Sequence, residues 1–369
     1  MKILYFIESL RCGGKERRLL ELIRYLTVHT NHEILLVLTE SEIHYKFVHD
    51  LGIELIILKR KWIKKDPSLF YKFYRLTNEF KPDIIHTWGS MLSFYALPVI
   101  IHKNIPHING HIADAPLVRP FFGFYRMIES VGFRYSDVIV SNSLAGLASY
   151  GVSGHKSKVI YNGVRLDRFE NLLEIDDVKS RFKIKTRYTI IMLASYTKHK
   201  NYDQFLDVAE LLSCQRNDIT FLGVGDTEKD SDEYDRIRKR AEGIVNVILS
   251  DKITEVESLI NACDIGVLFT YSEGISNSII EYMVCGKPSI VNDVGGSREI
   301  IANNETGFLL TNETTHEIAD LINKLIDNEV KRSLIGRNAR LHIENRFSID
   351  RMGSEFAKLY EETAKPGAY

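Results

Sequence analysis

Cysteine is scarce in this 369-residue chain, and its four copies do not fall into a pattern. Cys12, Cys214, Cys263 and Cys285 make no Cys-x-x-Cys and no Cys/His ligand spacing. That excludes a zinc ribbon or a disulfide framework and points to reduced thiols. Long apolar runs are also missing. Residues 3–7 are apolar but end at Glu8, too short for a signal-peptide core, and 92–101 is too short to span a bilayer. The expectation is a cytoplasmic protein, soluble or peripheral on the inner face of the plasma membrane. Net charge is nearly absent at formal −1, and no nucleic-acid-binding motif is present, which argues against a nucleic-acid partner. Finally, Gly223-Val-Gly225-Asp226 does not complete Gly-x-Gly-x-x-Gly, which argues against an NAD-dependent enzyme.

What is present is alternation. Short apolar runs at 3–7, 33–38, 53–58, 84–86, 138–141 and 159–161 read as buried strands, separated by helical stretches such as 16–26 and 67–80. A second series runs through 188–193, 219–223, 245–249, 265–269, 289–291 and 308–310. Strands alternating with helices imply parallel sheets covered on both faces, and two series imply two domains, as does a chain this long. The expected fold is α/β, two Rossmann-like doubly wound domains facing a cleft, with domain one at 1–172 and domain two at 173–348. Ligands in such sheets collect at the carboxyl ends of the strands. Charge divides with the domains. Residues 1–170 hold 23 Lys+Arg against 16 Asp+Glu, net +7, leaving 25 against 33, net −8, for the rest. The basic excess interleaves with aromatics at 59–75 and 119–126. Such patches are either a core stripe with a solvated basic flank or a surface for an anionic membrane.

The most informative segment is Glu273-Gly-Ile-Ser-Asn-Ser-Ile-Ile-Glu281, two carboxylates with seven residues between them. Ser276 and Asn277 are good helix caps, Ile279, Ile280, Met283 and Val284 share a face, and Gly286 with Pro288 supplies a stop. First-turn N–H groups at such a start form an anion site. Glu281 would sit about 6 Å further along the axis, away from the isoleucines, within reach of a ribose diol. Glu273 would face the opposite side, where a carboxylate orients sugar hydroxyls. Two solvated glutamates on an ordinary strand-loop-helix would look the same in isolation.

The flanking text separates the two. Ala262-Cys-Asp264 before the segment, and Cys285-Gly-Lys-Pro288 through Gly295-Gly296-Ser-Arg-Glu299 after it, resemble the family 4 retaining glycosyltransferases of GT-B fold, here of bacterial envelope polysaccharide type. Tyr282 replaces the alanine common in that family. The resemblance implies an N-terminal acceptor-binding and a C-terminal nucleotide-sugar-binding domain, with the final helix, 349–369, packed back on the first. It implies catalytic roles for Glu273, Lys200 and His111, with Asp114 the alternative to His111. Donor contacts are implied at Gly13, Gly14, Ser195, Gly274, Ile275, Ser276, Asn277 and Glu281. Lys200 matches a family lysine that holds the donor diphosphate, whereas Ser195 stands where an arginine is usual. Serine offers a hydrogen bond but no charge. Asp83-Ile-Ile-His86 and Tyr161-Asn-Gly-Val164 match landmarks with structural roles. The base would be read near 249–253.

The implied reaction moves a hexose or N-acetylhexosamine from a nucleoside-diphosphate sugar, UDP favoured, to a saccharide or lipid-linked acceptor with retention of configuration. Capsule, O-antigen or exopolysaccharide synthesis is the implied setting. No cofactor and no metal are expected, since no Asp-x-Asp stands in a suitable strand-end loop. Two other classes stay open: another GT-B nucleotide-sugar enzyme such as an epimerase, and a non-catalytic nucleotide-sugar-binding partner.

Overall fold

The computed structural model describes every residue except Cys12, 61–64, 119–122, Lys229, Thr254 and 365–369. The chain divides into two compact units, Met1–Gly163 with Ile349–Tyr369, and Val164–Ser348. The division therefore falls upstream of residue 172.

The first unit contains β1 (Lys2–Ile7), α1 (Gly14–His29), β2 (Glu33–Leu38), β3 (Glu54–Ile57), α2 (Ser68–Phe80), β4 (Ile84–Thr87), α3 (Ser90–Lys103), β5 (His107–Ile112), α4 (Phe124–Arg134), β6 (Val138–Ser141), α5 (Leu144–Tyr150) and β7 (Ser157–Val159). Its parallel sheet has the order β3-β2-β1-β4-β5-β6-β7. Side chains alternate across a strand, and β1 shows why its run is apolar throughout. Ile3, Tyr5 and Ile7 enter a core with α1, while Leu4 and Phe6 enter a second core with α2 and α3.

Strand β5 has no counterpart in the apolar pattern, because His107 and Asn109 interrupt it. Both are buried, and neighbours meet their polar atoms. His107 Nε2 lies 2.9 Å from Thr87 Oγ1, and Asn109 Nδ2 donates to Ser136 Oγ at 3.3 Å. Burial lowers the His107 pKa to about 3, so the ring is neutral. Strand β7 lies earlier than the run 159–161 indicates.

The second unit contains α6 (Ile175–Arg181), β8 (Tyr188–Leu193), α7 (Tyr202–Gln215), β9 (Ile219–Gly225), α8 (Ser231–Ala241), β10 (Val247–Asp251), α9 (Val256–Asn261), β11 (Ile265–Leu268), α10 (Asn277–Val284), β12 (Ser289–Asn292), α11 (Ser297–Ile300), β13 (Phe308–Leu310), α12 (Thr315–Ile326) and α13 (Glu329–Arg346). Its parallel sheet has the order β10-β9-β8-β11-β12-β13. The last helix, α14 (Ile349–Thr363), belongs to the first unit and packs on α1. Met352, Phe356, Leu359 and Tyr360 form its buried face, and a Cβ at Gly353 would lie 2.1 Å from the Tyr25 ring. Only glycine allows that approach.

Three described cysteines are free, Cys214 exposed, Cys263 buried and Cys285 between. Burial raises both inner thiols, Cys285 to about 12 and Cys263 further. Thiolate is the reactive form. Iodoacetamide should therefore modify Cys214 in the native protein and reach Cys263 and Cys285 only after denaturant is added. Peptide mapping that finds Cys263 alkylated without denaturant would contradict this packing.

Candidate functional site

The second sheet reverses its order between β8 and β11, and the crevice outside such a reversal is where doubly wound sheets bind ligands. The loops that follow these two strands meet each other. Lys200 and Thr270 form an isolated antiparallel bridge, with Asn201 N–H donating to Phe269 O at 3.0 Å and Tyr271 N–H to His199 O at 2.9 Å. This contact sets Lys200 beside Glu273, and the two side chains form an ion pair. At 12% and 20% exposure the pair is partly desolvated, so its attraction is screened less than a surface pair's.

Helix α10 follows the Glu273 loop. Ser276 is its N-cap residue, but its hydroxyl makes no capping bond. The end is a Schellman turn, with Gly286 at φ +65°, Gly286 N–H on Met283 O at 3.0 Å and Lys287 N–H on Tyr282 O at 2.9 Å. The helix is not amphipathic as its sequence suggests. Every residue from 279 to 284 is buried, Glu281 included, because α10 packs against β11 and also touches α9 and α13. Glu281 Oε1 accepts from Arg168 Nη2 at 3.0 Å, and Arg168 also pairs with Glu257. Burial opposes charge on Arg168, but the two carboxylates outweigh it and raise its pKa.

Close backbone contacts frame the loops. Gly296 N–H donates to Glu273 O at 3.3 Å, and a Cβ at 296 would stand 2.6 Å from Gly274 O. Ile275 is buried beneath. On the other side, a Cβ at Gly225 would lie 1.9 Å from Ala194 O, next to half-buried Ser195. The glycine that resembles part of a dinucleotide fingerprint thus lets strand β9 touch the Lys200 loop. In the same unit, a cavity of about 270 Å³ is lined in part by Val178, Phe182, Ser250, Ile253 and Leu259. It includes two residues of the stretch expected to read the base.

In the first unit, Gly13 has φ −163°, an extended conformation open to any residue. Its N–H donates to the Tyr45 hydroxyl at 3.3 Å, and that hydroxyl donates to Gly13 O at 3.1 Å. Gly14 opens α1, whose first turn carries Glu16, a carboxylate at the positive helix end. His111 lies on β5, not on a loop. Its Nε2 is 3.2 Å from Glu129 Oε1, and its ring meets Tyr150 edge-on. Asp114 accepts from the same Tyr150 hydroxyl at 2.8 Å. Ser195, Gly274, Ile275, Ser276, Asn277 and Glu281, six of the residues expected to contact a donor, thus share the second unit with Lys200 and Glu273, while Gly13, Gly14 and His111 belong to the first.

The aromatic-basic patches split between the two readings of the sequence. Phe73 of α2 is core, whereas Tyr71, Phe124 and Tyr125 are exposed, and Lys65 stands over both α4 rings. Residues 61–64 and 119–122 of these patches lie outside the described residues. No described helix is long and apolar enough to cross a membrane.

Sequence reasoning missed Arg168 and Glu257. Arg168 lies on a short 3-10 turn, Leu166–Phe169, and no local spacing links it to a carboxylate 113 residues away.

Comparison with known proteins is consistent along the chain. Residues 174–342 match the family model of glycosyl transferases group 1, and residues 12–168 match glycosyltransferase family 4. A capsular polysaccharide biosynthesis glycosyltransferase, CapM of Staphylococcus aureus, is 26% identical over 259 residues, 66% of this chain and 66% of that protein. An N,N'-diacetylbacillosaminyl-diphospho-undecaprenol alpha-1,3-N-acetylgalactosaminyltransferase of Campylobacter jejuni is 23% identical over 357 residues, covering 90% of this chain and 92% of that one. Among solved structures, Anabaena HepE in complex with UDP-glucose has a TM-score of 0.85 at 19% identity, over 98% of this chain and 99% of the other.

Gly296→Ala and Gly225→Ala should each cost about 1–3 kcal/mol in denaturant unfolding, because backbone must move to admit the new Cβ. Wild-type stability in both variants would mean that the loops do not touch as described.

Proposed function

The chain is a family 4 glycosyltransferase of GT-B fold, and from that premise we propose that it moves a hexose or N-acetylhexosamine from a nucleoside-diphosphate sugar, UDP favoured, to a saccharide or lipid-linked saccharide. The observation that carries this reading is the meeting of Lys200 with Glu273 at the strand-order reversal. Support also comes from the capsular and undecaprenol-linked substrates named for similar proteins, and from UDP and UDP-glucose in similar folds. Capsule, O-antigen or exopolysaccharide assembly is the setting that fits.

In the proposed step the bond from the anomeric carbon to the donor phosphate breaks, and the acceptor oxygen bonds to the same face of that carbon. The acceptor proton passes to the departing phosphate, and configuration is retained. Negative charge grows on the leaving diphosphate, where Lys200 and the N–H groups at the start of α10 stabilise it without a metal. An ammonium has three donors, so Lys200 serves phosphate while still holding Glu273. Glu273 orients the sugar hydroxyls. Glu281 takes the ribose diol; with about four acceptor sites on a carboxylate, its bond to Arg168 is compatible with that. His111, oriented by Glu129, is the first unit's candidate for the sugar. The exposed Phe124 and Tyr125 with Lys65 are assigned to an anionic membrane surface carrying the acceptor.

One observation favours a second reading. Ser195 stands where similar enzymes hold diphosphate with arginine, as a non-catalytic sugar-nucleotide-binding protein would tolerate. A thermal-shift panel of UDP, GDP, ADP and CMP with their sugar conjugates, with and without EDTA, separates the two. One nucleoside diphosphate should raise the melting temperature, and EDTA should not cancel the shift. Lys200→Ala should lower kcat by about 10²–10³-fold, the range for loss of one charge-stabilising donor. Glu281→Gln should weaken nucleotide binding by about tenfold, the loss of a charge-assisted hydrogen bond. No shift with any nucleotide would favour the non-catalytic protein, and unchanged affinity in Glu281→Gln would remove the ribose assignment.

A further inference from the structure

We propose that Ser278 and Tyr282, one turn apart on α10, are positioning residues for sugar transfer: together they clamp Leu193, the last residue of β8, and fix the gap across which Lys200 and the start of α10 are held. The proposal rests on the reading of Lys200, Glu273 and that helix start as the donor site.

The β8–β11 ladder pairs Ile190 with Ile265, Ile191 with Gly266 and Met192 with Val267, then stops. Leu193 is the next residue. On the β9 side its neighbour Ala194 still bonds Val224 O at 3.0 Å, so in the alternation of a strand the N–H and C=O of Leu193 point towards β11. Val267 is the last β11 residue paired with β8, so the Leu193 carbonyl lies beyond the ladder. The Leu193 N–H donates to the Tyr282 hydroxyl at 2.6 Å, and the carbonyl accepts from the Ser278 hydroxyl at 2.7 Å. The Tyr282 hydroxyl in turn donates to Val267 O at 3.3 Å. A side-chain oxygen therefore stands at the end of the ladder, bonded to the Leu193 N–H of one strand and to Val267 O of the other.

The ring needs room to do this. Tyr282 is fully buried and lies against Gly266, where a Cβ would be 2.3 Å from ring atoms. Glycine at 266 and tyrosine at 282 are thus one device. The alanine usual at 282 in similar enzymes could not reach Leu193. Burial raises the phenol well above its ordinary pKa, so its proton stays available for Val267. Past the wedge the two chains rejoin through His199–Asn201 and Phe269–Tyr271, which carry Lys200 and lead to Glu273. The gap is closed at both ends, and the hydroxyl pair sets its inner end.

The test uses three variants of the full chain. Tyr282→Phe keeps the ring on Gly266 and removes one oxygen, Ser278→Ala removes the other, and Ser278→Thr restores a hydroxyl. Turnover is read as nucleoside diphosphate released from the sugar nucleotide that most raises the wild-type melting temperature. Amide hydrogen exchange is followed over 193–201. A misplacement near 1 Å costs about 100-fold in rate. Tyr282→Phe and Ser278→Ala should each lower kcat by about 10–100-fold, with donor KM within about threefold, and should speed exchange at 193–201. Ser278→Thr should recover both. Wild-type kcat in folded Ser278→Ala and Tyr282→Phe overturns the proposal. So does a rate loss that tracks only the fraction folded, or that Ser278→Thr fails to reverse. A wild type that turns over no sugar nucleotide, with exchange still sensitive to the two hydroxyls, overturns the transferase reading and the clamp's part in it while leaving the clamp itself standing.

Discussion

The parting of β8 from β11 is the constraint on which the second unit depends. In a doubly wound sheet the crossovers on either side of the reversal lead away from each other, so the two central strands end beside a gap that neither helix fills. Backbone groups at such a gap cannot remain unpaired. Here Tyr282 and Ser278 satisfy them at the inner end, and the antiparallel bridge between Lys200 and Thr270 does so at the outer end. Lys200 and Glu273 are consequences of that closure. Their loops have no regular structure, yet backbone hydrogen bonds define where both start.

Charge follows the same geometry. Lys200 with Glu273, and Arg168 with Glu257 and Glu281, are covered to a similar degree, their side chains 7–20% exposed, so neither set is screened as a surface pair would be. The two assemblies lie at opposite ends of the Glu273–Glu281 segment. One ties the loop after β8 to Glu273, and the other ties the Leu166–Phe169 turn to α9 and α10.

Much of this organisation was legible in the residues. The β8–β13 strands appear as apolar runs at nearly their observed positions, the α10 stop is written in Gly286 and Pro288, and Lys200 and Glu273 stand out through the family wording around them. The failures have physical causes. β5 escaped notice because its buried polar residues are satisfied by Thr87 and Ser136, partners no apolar pattern records. Glu281 read as facing away from the packed isoleucines, yet it is buried, because spacing marks a helical face but not how many neighbours cover it. Tyr282 stood only as a departure from the family's alanine because its counterpart is an absence, the missing side chain of Gly266.

By itself, then, the sequence determined two alternating α/β series, most of their strands and the family to which the chain belongs. Those properties are local, written in periodicity, capping residues and a contiguous motif. Tertiary structure alone decided which cation meets which carboxylate. Lys200 and Glu273 are separated by 73 positions and Arg168 and Glu281 by 113, and only the order of strands in the sheet brings such residues within hydrogen-bonding reach. Strand order is set by how buried faces cover one another, an energy summed over the whole unit, and no short stretch of residues encodes it.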